Sequence, residues 1–406
     1  MKLNHNGVTE PTGFYACGRY TGMKYKRRDL AIVYTEIPAR YAAVFTTNQV
    51  KAASIIRNKQ LLDEKSLIQA IVINSGHANS CTGQQGIVNN QKMAESLANA
   101  LKLDINAVLT ASTGVIGVQL PVDIINQGIE KSCVFLSSDR QGAIDAASAI
   151  MTTDTVSKEV SLQFTIDGKL VKIGAMAKGS GMIHPNMATM LAFITTDLNI
   201  SQPLLQHAMS DSIIDTYNMI SVDGDTSTND MACILANGLA GNDEIIEEDE
   251  NYIIFCKALN IINTELAKMI IKDGEGATKT LEATVRGAKT KDDARVLCKA
   301  IINSNLVKTA FFGEDANWGR IICAMGYSGA FMDPNGLSLA FKSRFGSIRL
   351  VENGIPLHFN EELAAEVLKG NSIEILVNLM DGDFEAKGWG CDMSYDYIRI
   401  NGDYRT

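Results

Sequence analysis

At 406 residues the chain is long enough to bury a substantial core, and its size points to two or three domains rather than one small module. Hydrophobic residues at 46%, charged residues at 20%, 33 Gly and only 7 Pro exclude a disordered or fibrous protein. The net charge of -9, with no basic patch expected to offset it, argues against nucleic acid or anionic lipid as partner.

In chain order, the apolar runs at 30–34 and 70–73 fall far short of the roughly 20 residues a membrane helix needs. Residues 1–6 lack the apolar core of a signal peptide, so a cytoplasmic location is expected. Residues 70–74 read as a strand ending in Ser75-Gly76-His77-Ala78-Asn79, followed by a helix from about 88 to 101. A strand at 107–111 stops at Ser112-Thr113-Gly114. Between 158 and 174, two alternating segments flank Asp167-Gly168, a hairpin signal. Ser201 is placed to cap a helix over 203–214, and the polar stretch 241–251 reads as a solvated connection. Tyr252, Phe255, Leu259, Ile262, Leu266, Met269 and Ile270 have helical period, ending at Asp273-Gly274. Helices are also expected over 292–302 and 360–368. This alternation of strands and helices predicts an α/β or α+β protein.

The eight cysteines stand singly, with no Cys-x-x-Cys pair, so neither a disulfide framework nor a zinc site is expected. Reduced, mostly buried thiols are, with Cys81 and Cys391 in Gly-rich stretches. Gly-rich turns bearing hydroxyls and charges occur at Thr113-Gly114, Lys178 to Gly181, Ser221 to Asp230, Gly274 to Gly276 and Asn317 to Arg320. The P-loop spacing is absent, and His184 stands where a dinucleotide fingerprint needs its third small residue. Asp223, Asp225 and Asp230 hint at calcium, but Thr228 sits where the loop needs glycine, and a hydrogen-bonded turn is the favoured reading. Only His5, His77, His184, His207 and His358 could serve a Ser-His-Asp arrangement, which is poorly signalled. A hydroxyl nucleophile activated by a terminal amine needs no histidine.

The segment KGSGMIHPNMATML, Lys178 to Leu191, makes that chemistry specific, because it closely resembles the glutamate N-acetyltransferase (ornithine acetyltransferase) family of arginine biosynthesis. Further stretches resemble the same family in the same order: NSGHANSCTG from Asn74, STGVIG from Ser112, SVDGDTSTND from Ser221, GEGATK from Gly274, NWGRI from Asn317 and GWGCDMSYDYIRINGDYRT from Gly388. His77, where asparagine is commoner, and Ala316, where proline usually stands, depart from the pattern away from the catalytic positions.

The resemblance implies a layered α-β-β-α sandwich in two halves, shared with self-processing aminopeptidases. It implies self-cleavage between Ala188 and Thr189, giving an α chain, 1–188, with the processing loop and a β chain, 189–406, headed by the nucleophilic Thr189. The Thr113 hydroxyl and the Gly114 N–H would be the oxyanion donors, while Thr152, Lys178, Thr189, Glu275, Asn401 and Thr406 would bind substrate. Neither metal nor cofactor is implied, although acetyl-CoA serves some members as a co-substrate. The implied cycle is ping-pong: Thr189 takes acetyl from N2-acetyl-L-ornithine and passes it to L-glutamate. The implied partners are those small molecules, in a heterotetramer of two α and two β chains. The alternative is a self-processing aminopeptidase or amidohydrolase of the same fold, with water as acceptor.

Overall fold

The structure, a computed structural model, describes residues 1–184 and 190–403. Two mixed sheets carry helices on and between them. Among the described residues the first sheet has nine strands, ordered Lys2–Asn4, Lys158–Ile166, Lys169–Lys178, Leu191–Thr196, Met231–Ala236, Leu30–Phe45, Ile68–His77 and Val108–Val115, with Phe14–Arg19 also paired to Leu30–Phe45. At its centre lies the parallel pair LAFITT and MACILA, every residue buried. A strand covered on both faces needs apolar side chains throughout rather than at alternate positions. The period of two survives as destination: Ala192, Ile194, Ala232 and Ile234 enter one core, and Leu191, Phe193, Met231 and Cys233 the core on the other face.

The second sheet has seven strands among the described residues, ordered Ile355–Pro356, Gly346–Glu352, Ser338–Ser343, Ser372–Asn378, Thr280–Ala288, Phe384–Cys391 and Ile220–Ser221. Helix Glu250–Lys272 starts at Asp249, whose side chain accepts from the Tyr252 N–H at 2.9 Å. It packs on Lys158–Ile166 and Lys169–Lys178 from the first sheet and on Phe384–Cys391 from the second, so one core spans both. No helix among the described residues is long and apolar enough to cross a membrane.

The hairpin forms between Lys158–Ile166 and Lys169–Lys178, with Asp167 and Gly168 both at positive φ, 49° and 75°, as a two-residue turn of this hand requires. The expected helices occur as Gly83–Leu101, Gln202–Ile214, Lys291–Asn303 and Glu361–Leu368. Three expectations need correction. Ser201 precedes its helix, but its side chain makes no capping bond. The 241–251 stretch is not merely solvated: Asn242 is buried with its side chain bonded to both the N–H and C=O of Asn199, and buried Ile245 bridges to Ile200. All eight cysteines are free, yet only four are buried, and Cys81 and Cys323 are exposed.

Candidate active site

Strands Ile68–His77 and Val108–Val115 run parallel and end together, with Ser75 opposite Thr113 and Gly76 opposite Gly114. Gly114 has φ +131°, and a Cβ there would lie 2.3 Å from the Gly76 carbonyl carbon. Both the dihedral and the contact demand glycine. Asn229 secures this strand end by donating to the carbonyls of Ala78 at 2.5 Å and Ser112 at 2.7 Å.

Lys178 closes strand Lys169–Lys178, and its buried ammonium donates to the Thr113 hydroxyl at 3.4 Å. Burial pushes the Lys178 pKa down, while the nearby Asp154 carboxylate pulls it up. Asp154 accepts from Lys158 Nζ at 2.7 Å, the Gly179 N–H at 2.8 Å and the Thr152 N–H at 2.9 Å. Burial alone would raise its pKa, but the charges of Lys178 and Lys158 and these hydrogen bonds hold it well below the carboxylate range. Lys158 also reaches Asp273 at 2.6 Å, at the end of helix Glu250–Lys272. This buried ion network therefore fixes Thr152, Lys178 and the turn leading to Glu275 in one frame. The Glu275 N–H donates to the Ser180 carbonyl at 2.9 Å, and its carboxylate accepts from Asn401 Nδ2 at 2.8 Å. Gly181 lets the turn close, since a Cβ there would lie 2.3 Å from the Glu275 carboxylate.

These pieces enclose a cavity of about 280 Å³ lined by Thr113, Gly114, Thr152, Lys178, Glu275 and Asn401. These six residues come from five separate chain segments. Ala188, Thr189 and Thr406 lie outside the described residues. Met190, which follows Thr189 in the chain, lines the same cavity. No histidine is among the described residues lining it, nor are Cys81 and Cys391. His184 instead bonds Ser221 Oγ at 3.2 Å, and His207 pairs with Asp211 and Glu248 on the surface.

Sequence reading missed Asp230, weighed only for calcium. It lines the cavity almost fully buried, and its Oδ2 has no hydrogen-bond partner among the described residues. Burial pushes its pKa well above the ordinary value, against Ser227 hydrogen bonding and the Lys178 charge. Its signal was a lone carboxyl directly before the apolar run MACILA. Asp223 spends its carboxylate on the N–H groups of Met182 at 2.7 Å and Ile183 at 2.9 Å, a turn-holding role. Among the described residues no group of three or more His, Cys, Asp or Glu side chains is placed to hold a metal.

A basic cluster, not expected from the net charge, is also present: Lys24, Lys26, Arg27 and Arg28 share one loop. Tyr25 interrupts the run, which hid it in the sequence.

The sequence model of the ArgJ family matches residues 15–406. The chain belongs to the ArgJ family. It is 50% identical over 406 residues, the whole of both chains, to the arginine biosynthesis bifunctional protein ArgJ of Caldanaerobacter subterraneus subsp. tengcongensis. To ArgJ 1 of Clostridium acetobutylicum, described in the same words, it is 51% identical over 406 residues, all of this chain and 98% of that one. Among solved structures, the crystal structure of the Bacillus halodurans arginine biosynthesis bifunctional protein matches with TM-score 0.50 and 46% identity, covering 52% of this chain and 98% of that chain. ArgJ membership bears out the family and the layered α/β class expected from the motifs, and makes the chain an acyltransferase of arginine biosynthesis.

Proposed function

We propose that the chain cleaves itself between Ala188 and Thr189 and then moves acetyl from N2-acetyl-L-ornithine to L-glutamate through an acetyl-Thr189 ester. The convergence of Thr113, Gly114, Thr152, Lys178, Glu275 and Asn401 on one cavity, beside Met190, carries this reading. Cleavage frees the Thr189 α-amine, whose unperturbed pKa of about 7.7–8.0 leaves a neutral fraction able to take the proton of its own hydroxyl. As that oxygen attacks the acetyl carbonyl, negative charge develops on the carbonyl oxygen, where the Gly114 N–H and the Thr113 hydroxyl are the donors. Lys178 sharpens the second donor: by donating into Thr113 Oγ1 it leaves the hydroxyl proton free for the oxyanion and places a positive charge behind it. Ornithine leaves with the proton, the glutamate amine attacks the ester, and the same donors serve the second tetrahedral intermediate. Thr152, Lys178, Glu275, Asn401 and Thr406 hold the substrate; Glu275 suits its ammonium and Lys178 its carboxylate.

The Bacillus halodurans relative supports the processing step, because nearly all of its crystal chain corresponds to about half of this one, and a cut after 188 falls near the middle of 406 residues. The reading places the enzyme in the cytoplasm as two α (1–188) and two β (189–406) chains, with no cofactor and acetyl-CoA as a second donor. Intact-mass measurement of the purified protein tests it: two pieces meeting at 188 and 189 are expected, and Thr189→Ala should give one uncut, inactive chain. Acetyl transfer by Thr189→Ala would sink the mechanism, and acetate release independent of glutamate would favour the hydrolase.

A further inference from the structure

Among the described residues lining the substrate cavity, three carry ionisable charge: Lys178, Glu275 and Asp230. Glu275 is held by Asn401 Nδ2 at 2.8 Å, and Lys178 donates to Thr113 Oγ1 rather than to Asp230. Asp230 is only 3% exposed, yet its Oδ2 has no hydrogen-bond partner among the described residues. The acyl-transfer cycle set out above gives it no task. A carboxylate with an unpaired oxygen is costly to bury, so the neutral acid is the favoured resting form. Burial accordingly pushes its pKa well above the ordinary value, against the opposing pull of Ser227 hydrogen bonding and the Lys178 charge.

The backbone fixes where this acid stands. Its C=O accepts from the Thr46 N–H at 3.0 Å, and the next N–H along the chain, that of Met231, donates to the Met190 C=O at 3.0 Å. Asp230 therefore enters strand Met231–Ala236 beside the residue that follows Thr189 in the chain. On its other side, Asn229 donates to the Ser112 carbonyl at 2.7 Å, one residue from Thr113. The acid is thereby tied both to the strand that follows the proposed nucleophile and to the turn proposed to hold the acyl oxygen. The reacting nitrogen of either amino acid has to sit between those two places.

An amino acid in neutral water carries its α-nitrogen as an ammonium, which has no lone pair with which to attack an ester. The Thr189 amine manages one proton, that of its own hydroxyl, so a second proton needs a carrier. We infer, on the acyl-transfer reading above, that Asp230 is this carrier, giving a proton to the departing ornithine amine and taking one from the arriving glutamate ammonium. When the C–N bond of N-acetylornithine breaks, the nitrogen takes the former hydroxyl proton and becomes a neutral amine. It leaves as an ammonium with a further proton from Asp230, which is now ionised and draws in the next ammonium. Glutamate returns that proton to Asp230, and its lone pair forms the new N–C bond as the C–O bond to Thr189 breaks. The surplus proton on the new amide nitrogen passes through the Thr189 amine to the threonine oxygen. Asp230 ends the cycle neutral, as it began.

Steady-state kinetics with N-acetylornithine as donor, and either glutamate or hydroxylamine as acceptor, test this on the full protein and its Asp230→Asn variant. Hydroxylamine is largely neutral at pH 7 and needs no base, and in a ping-pong cycle kcat/KM for the acceptor reports the second half-reaction alone. At neutral pH the kcat/KM for glutamate should fall about 10²-fold, the worth of a positioned base, against less than about threefold for hydroxylamine, which also reports a folded, processed variant. The glutamate deficit should shrink as pH rises, because more glutamate then arrives as the free amine. Lys178, Glu275 and the Thr189 amine are common to both proteins, so the difference between their pH profiles belongs to position 230. A deficit constant with pH would make Asp230 a binding group and overturn the proton role. Equal losses with both acceptors, or a variant that fails to cleave itself, would assign Asp230 to the nucleophile or the fold and overturn it as well. Wild-type protein that never acetylates glutamate sinks the transfer reading itself; wild type that does, beside an unimpaired variant, sinks only the proton carrier.

Discussion

At the scale of single residues, the contact from Lys178 to the Thr113 hydroxyl, 3.4 Å long and buried, gives one hydroxyl two tasks. Thr113→Val keeps the shape and removes the proposed oxyanion donor. Loss of one such donor costs about 2.7–4 kcal/mol of transition-state stabilisation, so kcat should fall about 10²–10³-fold with a smaller change in KM, and Thr113→Ser should restore much of it. A wild-type kcat in Thr113→Val would remove the hydroxyl from the chemistry. His184 offers a stability test. Burial, then the charge of Lys299, pushes its pKa down to about 4 in the fold, against about 6.5 in an unfolded chain. Between those values the unfolded chain binds a proton that the fold refuses, so stability is whole above pH 6.5 and falls as pH drops toward 4. Because the side chain is partly exposed, about 1–2 kcal/mol is expected over this window. Urea midpoints from pH 7 to 4.5 should therefore fall less steeply in His184→Asn than in wild type. Identical slopes would show that His184 titrates alike in both states.

At the scale of elements, what was legible followed local rules. The Asp167-Gly168 turn and the helical period from Tyr252 to Ile270 are each specified by neighbours in sequence, and each formed, whereas the strands expected to stop at 111 and 174 run on to Val115 and Lys178. The candidate site was legible in its residue types and, through the family resemblance, in its positions. What stayed hidden depends on distant partners. Asn242 is buried because it completes the backbone bonding of Asn199, and nothing within 241–251 announces that. Asp154 and Lys158 stand far from Asp273 in sequence, yet the three form one buried network because helix Glu250–Lys272 ends against the strand that carries Lys158. Asp230 was obscured for the opposite reason: it belongs to a turn-like motif, and only the pairing of Met231 with Leu191 sets it at the cavity.

At the scale of the whole molecule, the proposed cut at 188/189 does not coincide with any division of the fold. Strands Leu191–Thr196 and Met231–Ala236, both beyond the cut, fill the centre of the first sheet. Leu191–Thr196 bonds on one side to Lys169–Lys178 and Met231–Ala236 on the other to Leu30–Phe45, both before the cut. Every residue of the inserted pair is buried, so withdrawing it would open two backbone ladders and expose the apolar faces of two cores. Scission of one peptide bond there would change none of these contacts. The two pieces should therefore co-elute in native size-exclusion chromatography at any salt concentration, because burial rather than surface charge joins them. They should part only in urea, in the same transition that abolishes the acetyltransferase activity. Pieces that separate in buffer without denaturant would mean that the central pair does not hold the sheet together as its pairing requires.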